Sequence, residues 1–342
     1  MDWDPVEVPE EVLRGRVSQV AEACGAQGFD AVLYYASFTR PAQVSALTHF
    51  VPFWSQALLA ITPSGASMLT MATTGRTVQW IRGTSRVDEV IVGPEIGASA
   101  GRWLQDKTPA RRIAIASMDD LPQSAHAGLR GALPEAVLES AGPWCAALEA
   151  GFGPTPQVVR TAHDMAESAL ARVRSAAWPN AQALVAALDG HCRALGAEEV
   201  LVKVAPDLGR SADPYRIEGP MDLGAHFGVR LTLAYKGHWL RAGSSFSGAG
   251  AAATEAPACA AALGALREAA LRTRRIDALV DAMRRASGAR IEHWNVEARR
   301  AGLPLYSVSA SDRPEAAEAP AFSTFSARLE SGDVPLILSA PL

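Results

Sequence analysis

The chain has 342 residues, of which 49% are hydrophobic and 20% are charged, and its formal net charge is −4. These values are typical of a globular protein with two domains of ordinary size, and they give no reason to expect nucleic-acid binding. The four cysteines are scattered without CxxC spacing, which argues against a zinc site and a disulfide framework and favours reduced thiols in a cytoplasm. No apolar run is long enough to span a bilayer, and the acidic N-terminal residues lack the apolar core of a signal peptide, so we expect no membrane partner.

The first half of the chain alternates short apolar strands with helices. Helical periodicity covers residues 9–27, and a second helix is expected around Ala98–Leu104. Strands are predicted at Ala31–Tyr35, Gln56–Ile61, Ser67–Ala72, Val87–Val92 and Arg112–Ala116. This alternation favours an α/β layered domain, and the cluster of proline and glycine at Gly151–Pro156 indicates a linker after it.

The second half is predicted to begin with two helices and to end with strands. The expected helices are Val158–Ala177, Asn180–Leu195, Thr254–Thr273, Ile276–Ser287 and Glu292–Ala301. Two strands lie between Val200 and Leu233, and the chain ends on Phe322–Leu329 and Val334–Leu338.

Residues Gly224 to Phe246 are predicted to form a β-hairpin with an arginine on each arm. If Tyr235-Lys236 is the two-residue turn, Arg230 faces Arg241, and the other facing pairs are His226 with Ser245 and Thr232 with Trp239. Like charges directly across a hairpin are destabilising, and a buried unpaired arginine is costly. The pair therefore needs water, carboxylates or an anionic ligand. A register slip of one residue would instead turn Arg241 to solvent.

This hairpin resembles that of the pita-bread hydrolases, which include Xaa-Pro aminopeptidase, methionine aminopeptidase, prolidase and creatinase. In the peptidases of that family the hairpin follows the pattern D-x-G-x-x-Y-x-G-Y-x-x-D-x-T-R-T-F, and its two aspartates help to bind two metal ions. Tyr235, Gly237 and Phe246 fit the pattern, whereas the aspartates fall on Arg230 and Arg241. A guanidinium repels a divalent cation, so the change reverses the charge of the site.

The resemblance extends over nearly the whole chain. Val44–Phe50 matches in part a segment in the N-terminal domain of creatinase and aminopeptidase P. The expected fold class is therefore α/β (α+β), with a creatinase-like N-terminal α/β domain over residues 1–153 and a pita-bread domain over residues 157–342. Further eroded positions are Asp213, where creatinase has its catalytic histidine, the histidine-free stretch Leu303–Asp312, and Leu338 or Ser339 in place of a glutamate ligand. We expect no metal, no other cofactor and no metallopeptidase mechanism, which needs those ligands.

Creatinase is the metal-free precedent within the family, and it implies an enzyme that acts on a small anionic metabolite bearing a carboxylate or a phosphate. The reaction would be C–N hydrolysis or a related acid–base step. Arg230 and Arg241 would bind the anion, with Thr232, Trp239 and Tyr306 as further substrate contacts. His226 or His238 would transfer protons, and Asp213 would orient a histidine or bind a cationic group. The alternative is a catalytically inactive relative that serves as a binding or interaction protein.

A homodimer is implied by the same resemblance, because the N-terminal domain of creatinase-like dimers reaches into the partner's site. By that analogy Phe38, Arg40 and Trp54 would contribute to the site of a partner subunit. Trp54 has a plain alternative in ordinary apolar packing, as His226 has in a purely structural role.

Overall fold

The computed structural model describes residues 3–149, 151–248, 252–300, 303–312 and 317–342. The chain divides into two compact units, Met1–Gln157 and Val158–Leu342. None of the helices in these ranges is both long and apolar enough to cross a membrane.

The first unit is a six-stranded mixed sheet with buried side chains on both of its faces. Its helices are α1 (Glu10–Ala26), α2 (Ala42–Thr48), α3 (Val78–Thr84), α4 (Ile96–Lys107), α5 (Gln123–Ala132) and α6 (Gly142–Glu149). Its strands are β1 (Ala31–Ser37), β2 (Gln56–Ile61), β3 (Ser67–Met71), β4 (Glu89–Val92), β5 (Arg112–Ile115) and β6 (Val137–Ser140), in the order β4-β3-β2-β1-β5-β6. Two separate apolar clusters pack on the two faces, as in other layered α/β units.

The second unit is an antiparallel sheet with helices on one face. The helices are α7 (Pro156–Arg174), α8 (Ala181–Ala194), α9 (Pro257–Ala270) and α10 (Ile276–Ser287). The strands are β7 (Glu199–Ala205), β8 (His226–Tyr235), β9 (His238–Ser247), β10 (Thr254–Glu255), β11 (Arg290–Arg300), β12 (Leu303–Ser309), β13 (Thr324–Ser331) and β14 (Val334–Pro341). The order is β12-β11-β13-β14-β9-β8-β7, and β10 pairs with β9.

Alternation along the strands divides the side chains of this sheet between two faces. One set packs under the helices in two apolar clusters, one beneath α7 and α8 and the other beneath α9 and α10. Phe227, Leu231 and Leu240 represent this set on β8 and β9, and Phe325 and Leu338 represent it on β13 and β14. The other set includes Arg230 and Arg241 and lies on the opposite face, which we call the open face.

The expectation of a helix over 292–301 is wrong, because residues 292–300 lie within strand β11, and residue 301 lies outside the described residues. Its charged residues are compatible with a helix, but its apolar residues recur every second position. Trp294 and Val296 pack against the core, whereas His293 and Asn295 alternate with them and line a cleft. Packing against β12 and β13 on either side decides the conformation.

The sheet of the second unit has a seam between β9 and β14. The register that the structure gives for this junction is the single facing pair Ser339 and Gly243. The Ser245 hydroxyl supplements it, because it accepts a hydrogen bond from the Ile337 amide at 2.7 Å and donates one to the Ile337 carbonyl at 3.0 Å. One side chain thus satisfies backbone groups that a longer ladder would otherwise pair.

Candidate functional site

One row of facing residues crosses the open face through seven strands. Its members are mostly polar or small, in the order Lys203, Arg230, Gly243, Ser339, Ser326, Asn295 and Ser309. Facing residues point to the same side of a sheet, so these side chains lie beside one another. The short side chains in the middle of the row leave space above the sheet.

A cleft of ≈ 430 Å³ lies on this face and is lined entirely by residues of the second unit. That volume is within the usual range for small-molecule sites. Its ionisable lining residues are Asp213, Arg230, His293 and Arg328. Asn295 and the four serines Ser309, Ser311, Ser326 and Ser339 add neutral polar groups.

The β8–β9 hairpin turns at Lys236-Gly237, one residue later than the sequence predicts. Both residues have positive φ, 45° and 77°, and glycine at the second position suits the hairpin turn that requires this. The Glu198 carboxylate accepts hydrogen bonds from the amides of both. The predicted facing of Arg230 with Arg241 is therefore wrong: Arg230 faces Gly243, and Arg241 faces Thr232. The offset is two residues, so both arginines keep the same face.

Arg241 belongs to a buried ion-pair network beside the cleft. Its Nη1 lies 3.1 Å from Glu297 Oε2, and its Nε donates to Thr232 Oγ1 at 3.2 Å. Arg299 Nη2 lies 2.6 Å from the same Glu297 oxygen, and Asn295 Nδ2 donates to Glu297 Oε1 at 2.8 Å. Burial lowers the pKa of Arg241 to about 10, and the Glu297 carboxylate opposes that fall, so the guanidinium stays charged at neutral pH. We call these five residues the Glu297 cluster.

Arg230 has a different environment from Arg241. It lines the cleft, and its hydrogen bond within the described residues is from Nη2 to the Pro214 carbonyl at 3.4 Å. Burial lowers its pKa, and Arg299 acts in the same direction, while Glu297 and Asp213 oppose the shift. Neither carboxylate forms an ion pair with Arg230, so its charge is balanced only at longer range.

Both histidines predicted to transfer protons lie outside the lining of the cleft. His226 Nδ1 is 2.8 Å from Ser247 Oγ, its facing residue across the hairpin. His238 is buried on the alternate set of β9 positions from Arg241, with its ring edge-on to Phe322. Burial lowers the pKa of His238 to about 4, so this imidazole is neutral at physiological pH.

The remaining predicted contacts divide between the cleft and its surroundings. Asp213 lines the cleft, and its role there stays a prediction. Thr232, Trp239 and Tyr306 do not line the cleft. Thr232 accepts a hydrogen bond from Arg241, and Trp239 faces Ala234 across the hairpin. The Tyr306 hydroxyl donates to the Glu318 carbonyl at 3.3 Å. Sequence reasoning missed Arg328, His293 and Glu297. Only the two-residue periodicity of β11 could have revealed the latter two.

Phe38, Arg40 and Trp54 all lie in the first unit. Trp54 is 78% exposed and stacks on Trp80 with ring centroids 6.0 Å apart, and Phe38 is 50% exposed. Arg40 pairs with Asp120 at 2.5 Å. Their contact with a partner subunit stays a prediction.

The donor set at the hairpin does not fit the metal ions that the pita-bread resemblance implies. Across the described ranges, no three His, Cys, Asp or Glu side chains group closely enough to hold a metal ion. Glu297 is the carboxylate closest to the hairpin arginines, and both of its oxygens accept hydrogen bonds from neighbouring side chains. A divalent cation would have to displace those donors beside two guanidinium groups, which electrostatics opposes.

Comparison with known proteins finds similarity in structure alone, since no family model and no curated protein sequence matches the chain. The Xaa-Pro aminopeptidase of Thermotoga maritima superposes with a TM-score of 0.67 at 13% identity, covering 92% of each chain. The prolidase of Pyrococcus horikoshii gives 0.65 at 12% identity, covering 96% of this chain and 94% of its own.

A variant of Escherichia coli aminopeptidase P gives a TM-score of 0.66 at 13% identity, covering 98% of this chain and 92% of its own. Identities this low establish the fold and leave the chemistry to the residues of the site. The chain therefore has the pita-bread fold of aminopeptidase P and prolidase, with arginine at both predicted aspartate positions of its hairpin.

Proposed function

We propose that the protein is a metal-independent enzyme that binds a small anionic metabolite in the cleft of its second unit. The observation that carries this proposal is Arg230, a partly buried guanidinium that lines the cleft without an ion-pair partner in the described residues. Burying an unpaired charge is costly, whereas a carboxylate or phosphate at that position would compensate it through charge-assisted hydrogen bonds.

The catalytic part of the proposal rests on His293 and Asp213. An imidazole can accept or donate a proton near neutral pH, and a carboxylate can orient a cationic group or assist proton transfer. Both side chains line the same cleft as Arg230. We therefore assign proton transfer to His293 in place of His226 and His238. C–N hydrolysis or a related acid–base reaction fits this set.

Thermal unfolding with added anions tests the binding step. Acetate or phosphate should raise the melting temperature of the wild-type protein at constant ionic strength, because a ligand that binds only the folded state stabilises it. Arg230→Ala should remove the response. Arg285→Ala, which deletes an exposed arginine on α10, is the matched control and should keep it. An anion response that survives Arg230→Ala would contradict the proposal.

A non-catalytic binding protein is the second candidate, and the placement of His226 and His238 away from the cleft favours it. Incubation of the protein with defined mixtures of carboxylate and phosphate metabolites, followed by mass spectrometry, separates the two candidates. The enzyme consumes one compound, and His293→Asn stops consumption while the thermal shift persists. The binding protein retains one compound unchanged.

We also propose a cytoplasmic homodimer in which Phe38, Arg40 and Trp54 contribute to the partner's site. The exposure of Phe38 and Trp54 supports the contact between subunits, and four free, buried cysteines support a reducing compartment. Light scattering on wild type and Trp54→Ser tests it: a dimer that the variant weakens supports the contact, and a monomeric wild type contradicts it.

A further inference from the structure

We infer that the ligand of the cleft carries two separated acidic groups, one bound at Arg230 and the other at Arg328, as a short dicarboxylate does. This inference rests on the proposed function and names the class of molecule that the same site takes. The two arginines line one cleft, although Arg230 extends from β8 and Arg328 from β13.

Arg328 is a second guanidinium in need of an acceptor. Its Nε is buried and has no hydrogen-bond partner in the described residues. Its facing residues are His293 on β11 and Ile337 on β14, neither of which offers a carboxylate. Glu330, two residues further along β13, interacts with Arg328 at longer range but is held by Arg290 through contacts of 2.9 Å and 2.5 Å. A buried donor without an acceptor is rare in native proteins, and an anion bound at this guanidinium would offset the cost of its unpaired charge.

The two arginines extend from strands that are well separated in the sheet, so a ligand with two acidic groups suits them better than one compact anion. Three strand spacings separate β8 from β13, which amounts to roughly 14 Å between the backbones. The neighbouring cation that lowers the pKa of Arg230 is Arg299 and not Arg328, which agrees with that separation. A single carboxylate can compensate one arginine and leaves the other unpaired. Two acidic groups on one short carbon chain compensate both.

The floor of the cleft suits a ligand that lies across it. Ser339 and Ser326 occupy the strands between Arg230 and the far wall, and their hydroxyls are 2.9 Å apart. Gly243, next in the row, has no side chain to obstruct the path. Such a ligand would also place its second acidic group beside His293, the proposed proton-transfer residue.

A thermal-shift series with acetate, malonate, succinate, glutarate and adipate, at fixed ionic strength set with sodium chloride, tests this inference. For at least one dicarboxylate, we expect half of the maximal shift at a concentration tenfold or more below that of acetate. Arg328→Ala should return that dicarboxylate to the acetate concentration while the acetate response persists. Arg328→Gln is a second variant of closer size, and Arg285→Ala is again the matched control.

The outcomes separate this inference from the proposal on which it rests. An acetate response that depends on Arg230, combined with dicarboxylates that bind no more tightly than acetate, overturns the two-ended ligand and leaves the proposed function standing. A dicarboxylate advantage that survives both Arg328 variants also overturns it. Absence of any anion response in the wild-type protein overturns both.

Discussion

Arg230 and Arg241 lie on the same face of one hairpin, yet the protein accommodates their charges in two ways. Arg241 is 11% exposed and shares Glu297 with Arg299, so its charge is balanced within the protein. Arg230 lines the cleft, and within the part of the chain that the structure describes it makes a single long hydrogen bond, to a carbonyl. A buried guanidinium is therefore informative about function only where a carboxylate partner within the protein is missing. An internally paired arginine is sufficiently explained by the fold.

The largest expected effect comes from removing the shared carboxylate. Glu297→Gln would remove the carboxylate that Arg241 and Arg299 share, and breaking a buried ion pair in this way costs about 3–5 kcal/mol. Urea denaturation at pH 7 measures the loss in the free energy of unfolding. Glu268→Gln, which removes an exposed pair with Arg272, is the control and should have little effect. A Glu297 variant as stable as the wild type would show that the cluster does not balance Arg241.

His238 is a buried ionisable group that is uncharged at neutral pH, so unlike the two arginines it needs no counter-charge. Its folded-state pKa of about 4 lies below the ordinary histidine value, so the unfolded chain binds the additional proton between those limits. The stabilisation is therefore complete above about pH 6.5 and is lost as the pH falls towards 4, by roughly 3 kcal/mol in total. Urea denaturation from pH 7 to pH 4 measures it. His238→Phe should flatten this part of the profile, and an unchanged profile would contradict the assignment.

Replacing Arg241 itself should cost less than replacing Glu297. Arg241→Met removes the ion pair but leaves Glu297 with Arg299 and Asn295, so we expect a loss of about 1.5–3 kcal/mol, the range for hydrogen bonds to charged groups. Chemical denaturation measures it. The anion response of the cleft should persist in this variant, because Arg241 does not line it.

The smallest expected effect, and the sharpest contrast, comes from Arg230→Met. Since Arg230 has no ion pair to lose among the described residues, this substitution should leave the free energy of unfolding within about 0.5 kcal/mol of wild type or increase it. The same variant should no longer respond to acetate or phosphate. A loss of stability as large as that of Arg241→Met would contradict this expectation, because it would mean that both arginines stabilise the fold.

Regular elements of this fold can be predicted from the sequence where local signals agree. Helix α10 has the predicted bounds, Ile276–Ser287, because apolar spacing and a left-handed Gly288 at its end coincide. The predicted turn, Tyr235-Lys236, lies one residue before the observed turn, Lys236-Gly237, in which glycine occupies the second position. Both arginines still lie on the predicted shared face, because the pairing is offset by two residues and side chains alternate with period two.

The composition of the site depends on strand order and could not be predicted in the same way. Arg230, Ser326, Asn295 and Ser339 come from four strands, of which only β13 and β14 are neighbours in sequence, and tertiary register places all four residues in one row. The charged residues in the Glu292–Ala301 segment allowed a helix, which concealed His293 and Glu297. The resemblance concerns positions equivalent to metal ligands, so it predicts Arg230 and Asp213 but not His293 and Arg328, which line the same cleft.

The seam between β9 and β14 has a mechanical consequence for this arrangement. One facing pair and the hydroxyl of Ser245 join the two halves of the sheet there. Arg230 stands on one half, and Arg328 and His293 stand on the other. A molecule that binds both arginines would therefore span the β9–β14 seam and link the two halves of the sheet.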